Sequence, residues 1–341
     1  MKRFCLLFVL LLFIFTNFVF ADKVAILPDI LKPDSITVDN NQLFITEGAS
    51  IYIYSLKDFS LEKKFGKEGE GPKEFKITSY GGSGLILDVQ PEVLLISSVG
   101  KLSIFTRAGT FKKELKAPYS FFGNAFLGMG HRFVGMCSTM GEQESFITVN
   151  IYDAELNKVK EVCRWESPFR PGAGTRVFTE PYIFQATENK IFTAGGKEFK
   201  INVFDSNGKK LYSINQKYED IKISEGLKKA VINYFKTSPS TKNVFQFMQP
   251  IKFPDYFPAI LSFLVKDNKI YVLTYKKKDH KHECFVFDLK GKLLKKVFLP
   301  VIEQTLVSYY PFNINDGKLY QLLENEEAEE WELHVTEINK L

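Results

Sequence analysis

Apolar and polar residues alternate along most of the chain in short stretches that end at polar turns. A hairpin of two such stretches occurs six times, at 35–46, 84–97, 125–136, 182–194, 261–274 and 311–323. Alternation with a period of two predicts β-strands with one buried face, and turn dipeptides such as Asp316-Gly317 are typical of hairpins. The pattern therefore predicts a repeated unit that begins with a hairpin.

A second hairpin follows each of the first five, and a sixth copy begins at 333–338. The third strand of each of the first five units carries an aromatic residue, and these residues are 51, 47, 52 and 83 residues apart: Tyr54, Phe105, Tyr152, Phe204 and Phe287. Four strands that recur every 40 to 50 residues, roughly, are typical of propeller blades. We therefore predict an all-β fold, a six-bladed β-propeller of four-stranded antiparallel blades.

The long gap between the fourth and fifth aromatic residues contains an insertion. Ser224 can cap a helix, and Leu227, Val231 and Tyr234 follow at helical spacing, so we predict one short helix over 224–238, between blades 4 and 5.

The last unit lacks its fourth strand, whereas residues 23–28 form a lone strand without a hairpin partner. An open sheet edge invites unwanted pairing, so we expect 23–28 to close the last blade. Residues 22–341 would then form a single six-bladed domain.

The first residues resemble a signal peptide. Lys2 and Arg3 precede an apolar run over 4–15, and Val19 and Ala21 occupy the −3 and −1 positions of a cleavage site. We expect cleavage after Ala21 and a periplasmic or extracellular location. Retention of residues 1–21 as a membrane anchor is the alternative. No later segment is apolar for long enough to cross a bilayer.

Composition narrows the function only by exclusion. The formal charge is +5, and no basic run is dense enough to indicate nucleic-acid binding. The motifs of serine hydrolases, zinc proteases, P-loop enzymes and EF-hands are absent, so we assign no catalytic residue, metal ligand or cofactor. Beyond the leader lie Cys137, Cys163 and Cys284. We expect free thiols, with a Cys137–Cys163 disulfide as the alternative.

The segment FGKEGEGPKEF (65–75) would carry the chain from the outer strand of blade 1 to the inner strand of blade 2. It resembles the FG-x-x-G-x-GPGEF loop of secreted bacterial six-bladed β-propellers, relatives of NHL-repeat proteins, with Lys73 where that pattern usually has Gly. The resemblance implies a propeller fold and export, and it implies no agreed activity. Within the loop we expect Gly71 to need a positive φ.

The candidate binding surface is the face on which the chain passes between blades. Arginine is scarce in the chain, yet Arg170 and Arg176 both lie in the connection between blades 3 and 4. Tyr182, Tyr256 and Tyr309 come just before inner strands. Forked guanidinium donors and aromatic rings suit anions, sugars or protein segments. We expect an exported binding or scaffolding module for a partner protein or a carbohydrate or anionic ligand.

A propeller enzyme, such as a lactonase-like hydrolase or a lyase with a metal at the central channel, is the alternative. It would need polar side chains on the inner strands, where only Asp39, Asp88, Gln185, Asn313 and Asn315 could contribute. The segment 279–284 places two histidines and a cysteine at alternate positions and could approach one ion, but we interpret it as a polar hairpin turn of blade 5. We interpret the acidic run 324–330 as the corresponding turn of blade 6.

Overall fold

Each predicted pair of hairpins forms one four-stranded antiparallel sheet, and the six sheets are the blades of a propeller. The structure is a computed structural model that describes residues 22–77, 84–118, 120, 124–140, 145–167 and 174–341. Within these residues the fold prediction is confirmed: six blades, with one α-helix between blades 4 and 5.

The first three blades follow a lone N-terminal strand. These strands are β1 (Asp22–Ile26); in blade 1, β2 (Ser35–Asp39), β3 (Gln42–Glu47), β4 (Ser50–Ser55) and β5 (Leu61–Phe65); in blade 2, β6 (Ile86–Val89), β7 (Val93–Ser98), β8 (Lys101–Thr106) and β9 (Phe111–Lys116); and in blade 3, β10 (Ala125–Met129), β11 (Arg132–Met140), β12 (Ser145–Tyr152) and β13 (Lys158–Glu166).

The second half adds short elements to the connections between blades. They are β14 (Thr175–Arg176); in blade 4, β15 (Ile183–Ala186), β16 (Lys190–Ala194), β17 (Lys200–Asp205) and β18 (Lys210–Asn215); then α1 (Glu225–Thr237), a 3-10 helix (Phe245–Met248) and β19 (Ile251–Lys252); in blade 5, β20 (Ser262–Lys266), β21 (Lys269–Lys278), β22 (Lys281–Asp288) and β23 (Leu293–Leu299); then β24 (Glu303–Thr305) and β25 (Ser308–Tyr309); in blade 6, β26 (Phe312–Asn315), β27 (Lys318–Asn325) and β28 (Glu330–Glu337); and a final 3-10 helix (Ile338–Lys340).

The turns form where the sequence supplies residues that tolerate a left-handed backbone. Asp316 and Gly317 have φ values of 50° and 64°, as the two central residues of a type I′ hairpin turn require. At the outer turns of blades 3, 4 and 5 an aspartate recurs. The Asp205 carboxylate accepts hydrogen bonds from the backbone N–H groups of Asn207 and Lys209, at 2.9 and 2.8 Å; Asp153 and Asp288 do the same in their blades.

The inner strands surround the axis of the ring. Each contacts the inner strand of the next blade, and the last contacts the first: β2, β6, β10, β15, β20 and β26. Hydrophobic clusters fill the spaces between neighbouring blades, as between blades 1 and 2, where Phe44 and Phe105 are buried together.

Blade 6 takes its fourth strand from the N-terminal end, because β1 pairs antiparallel with β28. Beyond β1, Leu27 and Ile30 are buried in a cluster shared by blades 1 and 6. Glu332 on β28 accepts hydrogen bonds from Asn325, at 2.9 Å, and from the Lys23 ammonium on β1, at 3.0 Å, and it contacts His334 at 2.8 Å. The pairing therefore combines backbone bonds, apolar burial and an ion pair.

The insertion after blade 4 folds onto the face where the chain passes between blades. Ser224 caps α1, since its hydroxyl accepts a hydrogen bond from the Leu227 N–H at 3.1 Å. Val231 and Phe235 are buried against Val177 of the blade 3–4 connection. β14 and β19 pair in parallel beside the helix. The helix prediction is confirmed, and the insertion joins two inter-blade connections into one layer.

The loop between blades 1 and 2 differs from our expectation in one respect. Gly66 has a φ of 89°, but Gly71 does not have a positive φ; the left-handed residue near it is Lys73, with a φ of 66°. The prediction for Gly71 was therefore wrong. The Gly71 N–H donates to the Glu74 carboxylate at 2.9 Å, and the buried Lys101 ammonium donates to the Gly71 carbonyl at 2.9 Å. Gly71 is fixed from both sides, and the chain reverses at Lys73.

Cys137, Cys163 and Cys284 are free thiols. The Cys137 sulfur lies 3.0 Å from the Tyr152 hydroxyl and 3.2 Å from Asn124 Oδ1, both within hydrogen-bonding distance. Burial raises the pKa of the Cys284 thiol to about 12. The thiols are therefore held protonated inside the blades, where they act as small apolar groups.

Candidate functional site

A pocket of about 420 Å³ lies on the inter-blade face, beside blade 5. Its wall comes from four separate parts of the chain: the blade 3–4 connection, the helix insertion, blade 5 and the blade 5–6 connection. The lining residues are Phe178, Leu227, Phe257, Leu261, Tyr275, Lys277, Glu303, Thr305, Leu306, Val307, Ser308 and Tyr309. Its volume is within the range of small-molecule sites, about 300–1,000 Å³.

Three aromatic rings pack together along one wall. Phe257 and Tyr275 stack with ring centroids 4.4 Å apart and an interplanar angle of 20°. Phe178 meets both edge-on, at 4.9 and 6.3 Å. Burial raises the pKa of Tyr275 to about 12, so its phenol stays neutral.

The backbone at Phe178 is unusual, with a φ of 55°. A bulky residue with a positive φ is an outlier that persists only where its surroundings determine it. Here the neighbouring rings of Phe253, Phe257 and Tyr275 provide that constraint. The connection between blades 3 and 4 is thus held in a strained conformation that turns an aromatic ring into the pocket wall.

The opposite end of the pocket is polar. The Lys277 ammonium lies 2.7 Å from Glu303 Oε1. The hydroxyls of Thr305 and Ser308 are 2.7 Å apart, and the Thr305 hydroxyl also accepts a hydrogen bond from the Val307 N–H at 3.2 Å. The pocket therefore has an apolar aromatic wall and a polar end that carries one charge of each sign.

Tyr309 forms the floor at the polar end, and His282 lies behind it. Burial and the neighbouring Glu303 carboxylate raise the pKa of the Tyr309 phenol well above its usual value. His282 is completely buried behind it, with the two rings edge-to-face at 5.2 Å. His282 Nδ1 donates to the Thr274 carbonyl at 2.9 Å, and burial lowers the pKa of this histidine. The floor is therefore uncharged.

Only some of the sequence-predicted site residues reach this pocket. Tyr309 lines it. Tyr256 precedes the lining residue Phe257 and is half exposed, and Arg176 is exposed two residues before Phe178. Tyr182 lies apart, with its hydroxyl donating to the Glu166 carbonyl at 3.2 Å. Arg170 lies outside the described residues. The assignment of these five residues to a ligand stays a prediction.

Sequence reasoning missed the residues that define the polar end and much of the wall. Lys277 belongs to a run of three lysines at the end of β21, and Glu303 lies in a connection with no motif. The aromatic Tyr275 follows an ordinary strand pattern in β21. A usable signal was present in the length of the blade 5–6 connection, which has room for an extra hairpin, β24–β25.

Of the segment 279–284, only Asp279 and His280 form the hairpin turn, because β22 begins at Lys281; our interpretation holds for these two residues and was wrong for 281–284. Asp279 and His280 have φ values of 49° and 62° at the turn, whereas His282 and Cys284 are buried inside blade 5. Within the described ranges, no group of three or more His, Cys, Asp or Glu residues is arranged to hold a metal ion.

The polar residues of the central channel mostly have partners within the protein. Asp39 pairs with the Arg107 guanidinium at 2.6 Å. Asp88 Oδ2 accepts hydrogen bonds from the Gly128 N–H at 2.8 Å and from the Gln90 amide at 2.7 Å. Burial raises the pKa of the Asp88 carboxyl. These carboxylates serve to join neighbouring blades.

A second cavity, of about 500 Å³, lies between blades 2 and 3 on the opposite face. It is bordered mainly by hairpin turns, with His131, Glu188 and Glu92 around an apolar floor that includes Phe133 and Leu95. Its lining residues in blades 2 and 3 continue the ordinary gap between adjacent blades, whereas the first pocket depends on the helix insertion and on the added hairpin. We therefore regard the inter-blade pocket as the candidate site.

Comparison with solved structures supports the fold. The chain is similar to a member of the DUF4221 family from Bacteroides vulgatus, with 12% identity, coverage of 93% of this chain and 96% of that one, and a TM-score of 0.53. A protein of unknown function from Bacteroides caccae matches at 12% identity over 83% and 82% of the two chains, with a TM-score of 0.40. A luciferin-regenerating enzyme matches at 9% identity over 93% and 95%, with a TM-score of 0.45.

Of these three, only the DUF4221 member has a TM-score above 0.5, and at 12% identity that likeness bears on the fold and on no activity. No protein-family model matches the chain, and no curated protein matches it. Among the residues that the structure describes, no helix is both long and apolar enough to span a bilayer.

Proposed function

We propose that this protein is an exported binding propeller whose ligand site is the inter-blade pocket. One observation carries the proposal: four separate chain segments, including an insertion that the blades themselves do not need, converge on a concave site with an aromatic wall and a charged end. Concave, mainly apolar sites with a few placed polar groups are typical of small-molecule binding. Strain at Phe178 supports the same site, because it positions a wall residue.

The ligand in this proposal is a small molecule. The volume of about 420 Å³ suits one compact ligand. An extended partner segment would need a groove, and a scaffold would need a broad exposed patch. Arg176 and Tyr256, which are exposed and close in sequence to the lining residues Phe178 and Phe257, would meet a ligand that projects out of the pocket.

The metal-dependent alternative is less well supported. It requires free carboxylates at the central channel, and Asp39 and Asp88 already have internal partners. The signal-like residues 1–21 and the resemblance of the 65–75 loop to secreted propellers support export. Mass analysis of the protein recovered from the periplasm tests that step, and a chain that begins at Asp22 is the expected result.

A blocking variant tests the site. Val307→Trp should fill the pocket and abolish capture of small molecules in a thermal-shift screen, because the added indole would occupy the ligand volume. Val159→Trp is the matched control, since Val159 lies on outer strand β13 and is 54% exposed. Equal ligand-induced shifts in the two variants would show that the site is elsewhere.

A further inference from the structure

The polar end of the pocket has no net charge but contains two full charges. Lys277 and Glu303 are paired at 2.7 Å, and their side chains are 37% and 44% exposed. A lysine ammonium has three donors and a carboxylate several acceptor sites, so both groups can bind a ligand while staying close to each other. The end therefore offers one donor group and one acceptor group side by side.

The other polar groups of the pocket lining have less capacity to form hydrogen bonds with a ligand. The Thr305 and Ser308 hydroxyls bond to each other, and Thr305 accepts a further bond from the Val307 N–H. Tyr309 is a neutral phenol beside Glu303. The strongest hydrogen-bonding capacity is thus concentrated in the Lys277–Glu303 pair.

The aromatic wall is poorly suited to a sugar. Sugars commonly stack on an open ring face and need hydrogen bonds around their whole rim. Phe257 and Tyr275 cover one face of each other, and Phe178 makes a T-shaped contact with both. The wall instead continues into aliphatic residues, Leu261, Leu306 and Val307 among them. Such a surface accepts a compact apolar group.

We infer that the pocket binds a zwitterion with a large apolar group, namely a free α-amino acid with an aromatic or long aliphatic side chain. The inference rests on the proposed function. The ligand carboxylate would lie against Lys277, its ammonium against Glu303, and its side chain against the aromatic wall. A ligand with one charge would engage one member of the pair, whereas a zwitterion makes a charge-assisted hydrogen bond with each, and these are the stronger hydrogen bonds.

Titration calorimetry with L-phenylalanine tests this inference on the protein lacking residues 1–21. N-acetyl-L-phenylalanine lacks the ammonium, and L-phenylalanine amide lacks the carboxylate. We expect both to bind at least about tenfold more weakly than L-phenylalanine, since each lacks one of the two charge-assisted hydrogen bonds, and the loss of one such bond accounts for a change of that size. Equal affinity for the three compounds would overturn the inference.

Variants that exchange the charges of Lys277 and Glu303 provide a second test. Lys277→Glu should lower L-phenylalanine affinity at least about tenfold, because it places two carboxylates together. The double variant Lys277→Glu/Glu303→Lys should recover most of it, because the pair is restored with its orientation reversed. The matched control exchanges the neighbouring ion pair, Lys276 with Glu219, which lies at 3.1 Å outside the lining and should leave affinity unchanged.

The two proposals can fail separately. If L-phenylalanine, L-leucine and L-tryptophan all fail to bind while Val307→Trp still abolishes capture of other small molecules, the zwitterion inference is wrong and the pocket assignment stands. If Val307→Trp has no effect on any captured compound, the proposed function fails first.

Discussion

Leu27→Ala should destabilise the seam of the ring, that is, the contact between blades 1 and 6 where β1 pairs with β28. Leu27 follows β1, is 0% exposed, and packs where blade 1 and blade 6 meet, in a cluster that includes Ile36 and Trp331. The substitution removes three buried carbon atoms, which at about 0.8 kcal/mol each costs about 2.4 kcal/mol. Two rigid blades cannot collapse fully into the space, so a cavity term raises the expected loss to about 3–4 kcal/mol.

Urea unfolding measured by tryptophan fluorescence gives the free energy of unfolding, and hydrogen exchange of the β28 amides reports the seam directly. Val24→Ala is the matched control, because Val24 lies on β1 but is 39% exposed; it should cost less than about 1 kcal/mol. If Leu27→Ala costs no more than Val24→Ala and β28 stays protected, Leu27 does not hold the seam and the reasoning is refuted.

Three further changes test other features. Gly66→Ala should lower the free energy of unfolding by more than about 2 kcal/mol, because φ is 89° and a Cβ would lie 2.5 Å from a backbone oxygen of blade 1. Lys73→Gly, in the same loop, should raise it by up to about 1 kcal/mol, because glycine adopts a left-handed backbone without strain. Equal effects of the two changes in urea unfolding would contradict this reasoning. Hydrogen bonds from neighbouring side chains lower the Glu332 pKa to about 2, below its value in the unfolded chain. The contribution of Glu332 to the free energy of unfolding is therefore complete above about pH 4.5 and is lost as the pH falls toward 2. Glu332→Gln should flatten the plot of melting temperature against pH over that range. Arg170→Ala/Arg176→Ala should leave the unfolding free energy within about 1 kcal/mol of wild type and weaken ligand capture severalfold, and unchanged capture would remove these residues from the site.

The blades could be predicted because residues adjacent in the sequence determine each strand and each turn. Alternation defines each strand, and pairs such as Asp316-Gly317 define the turns. The helix was predictable for the same reason, since Ser224 and the apolar spacing behind it lie within one short segment. The backbone of the loop before blade 2 was not, because it depends on tertiary contacts: the Glu74 side chain folds back onto the Gly71 N–H, and Lys101, from outside the motif, bonds to the Gly71 carbonyl.

The pocket depends on contacts that no local pattern encodes. Lys277 and Glu303 belong to different parts of the chain and meet only because β24–β25 folds back over blade 5. The sequence pointed to the blade 3–4 connection through its arginines, whereas the residue from that connection that lines the pocket is Phe178. We expected Tyr182, Tyr256 and Tyr309, which precede the inner strands of three blades, to share one binding surface. The helix insertion breaks the repeat between blades 4 and 5, and the concave site lies beside blade 5.

The pairing of β1 with β28 also bears on how the ring assembles. Asp22 is opposite Val335, so this contact closes a loop of almost the whole chain, while every other blade forms from consecutive hairpins. Contacts of such long sequence separation form slowly, and until this one forms, β28 presents an unpaired edge. A second molecule in the same condition can offer its own β1 to that edge. The seam that completes one ring is therefore also the point at which two copies can exchange strands.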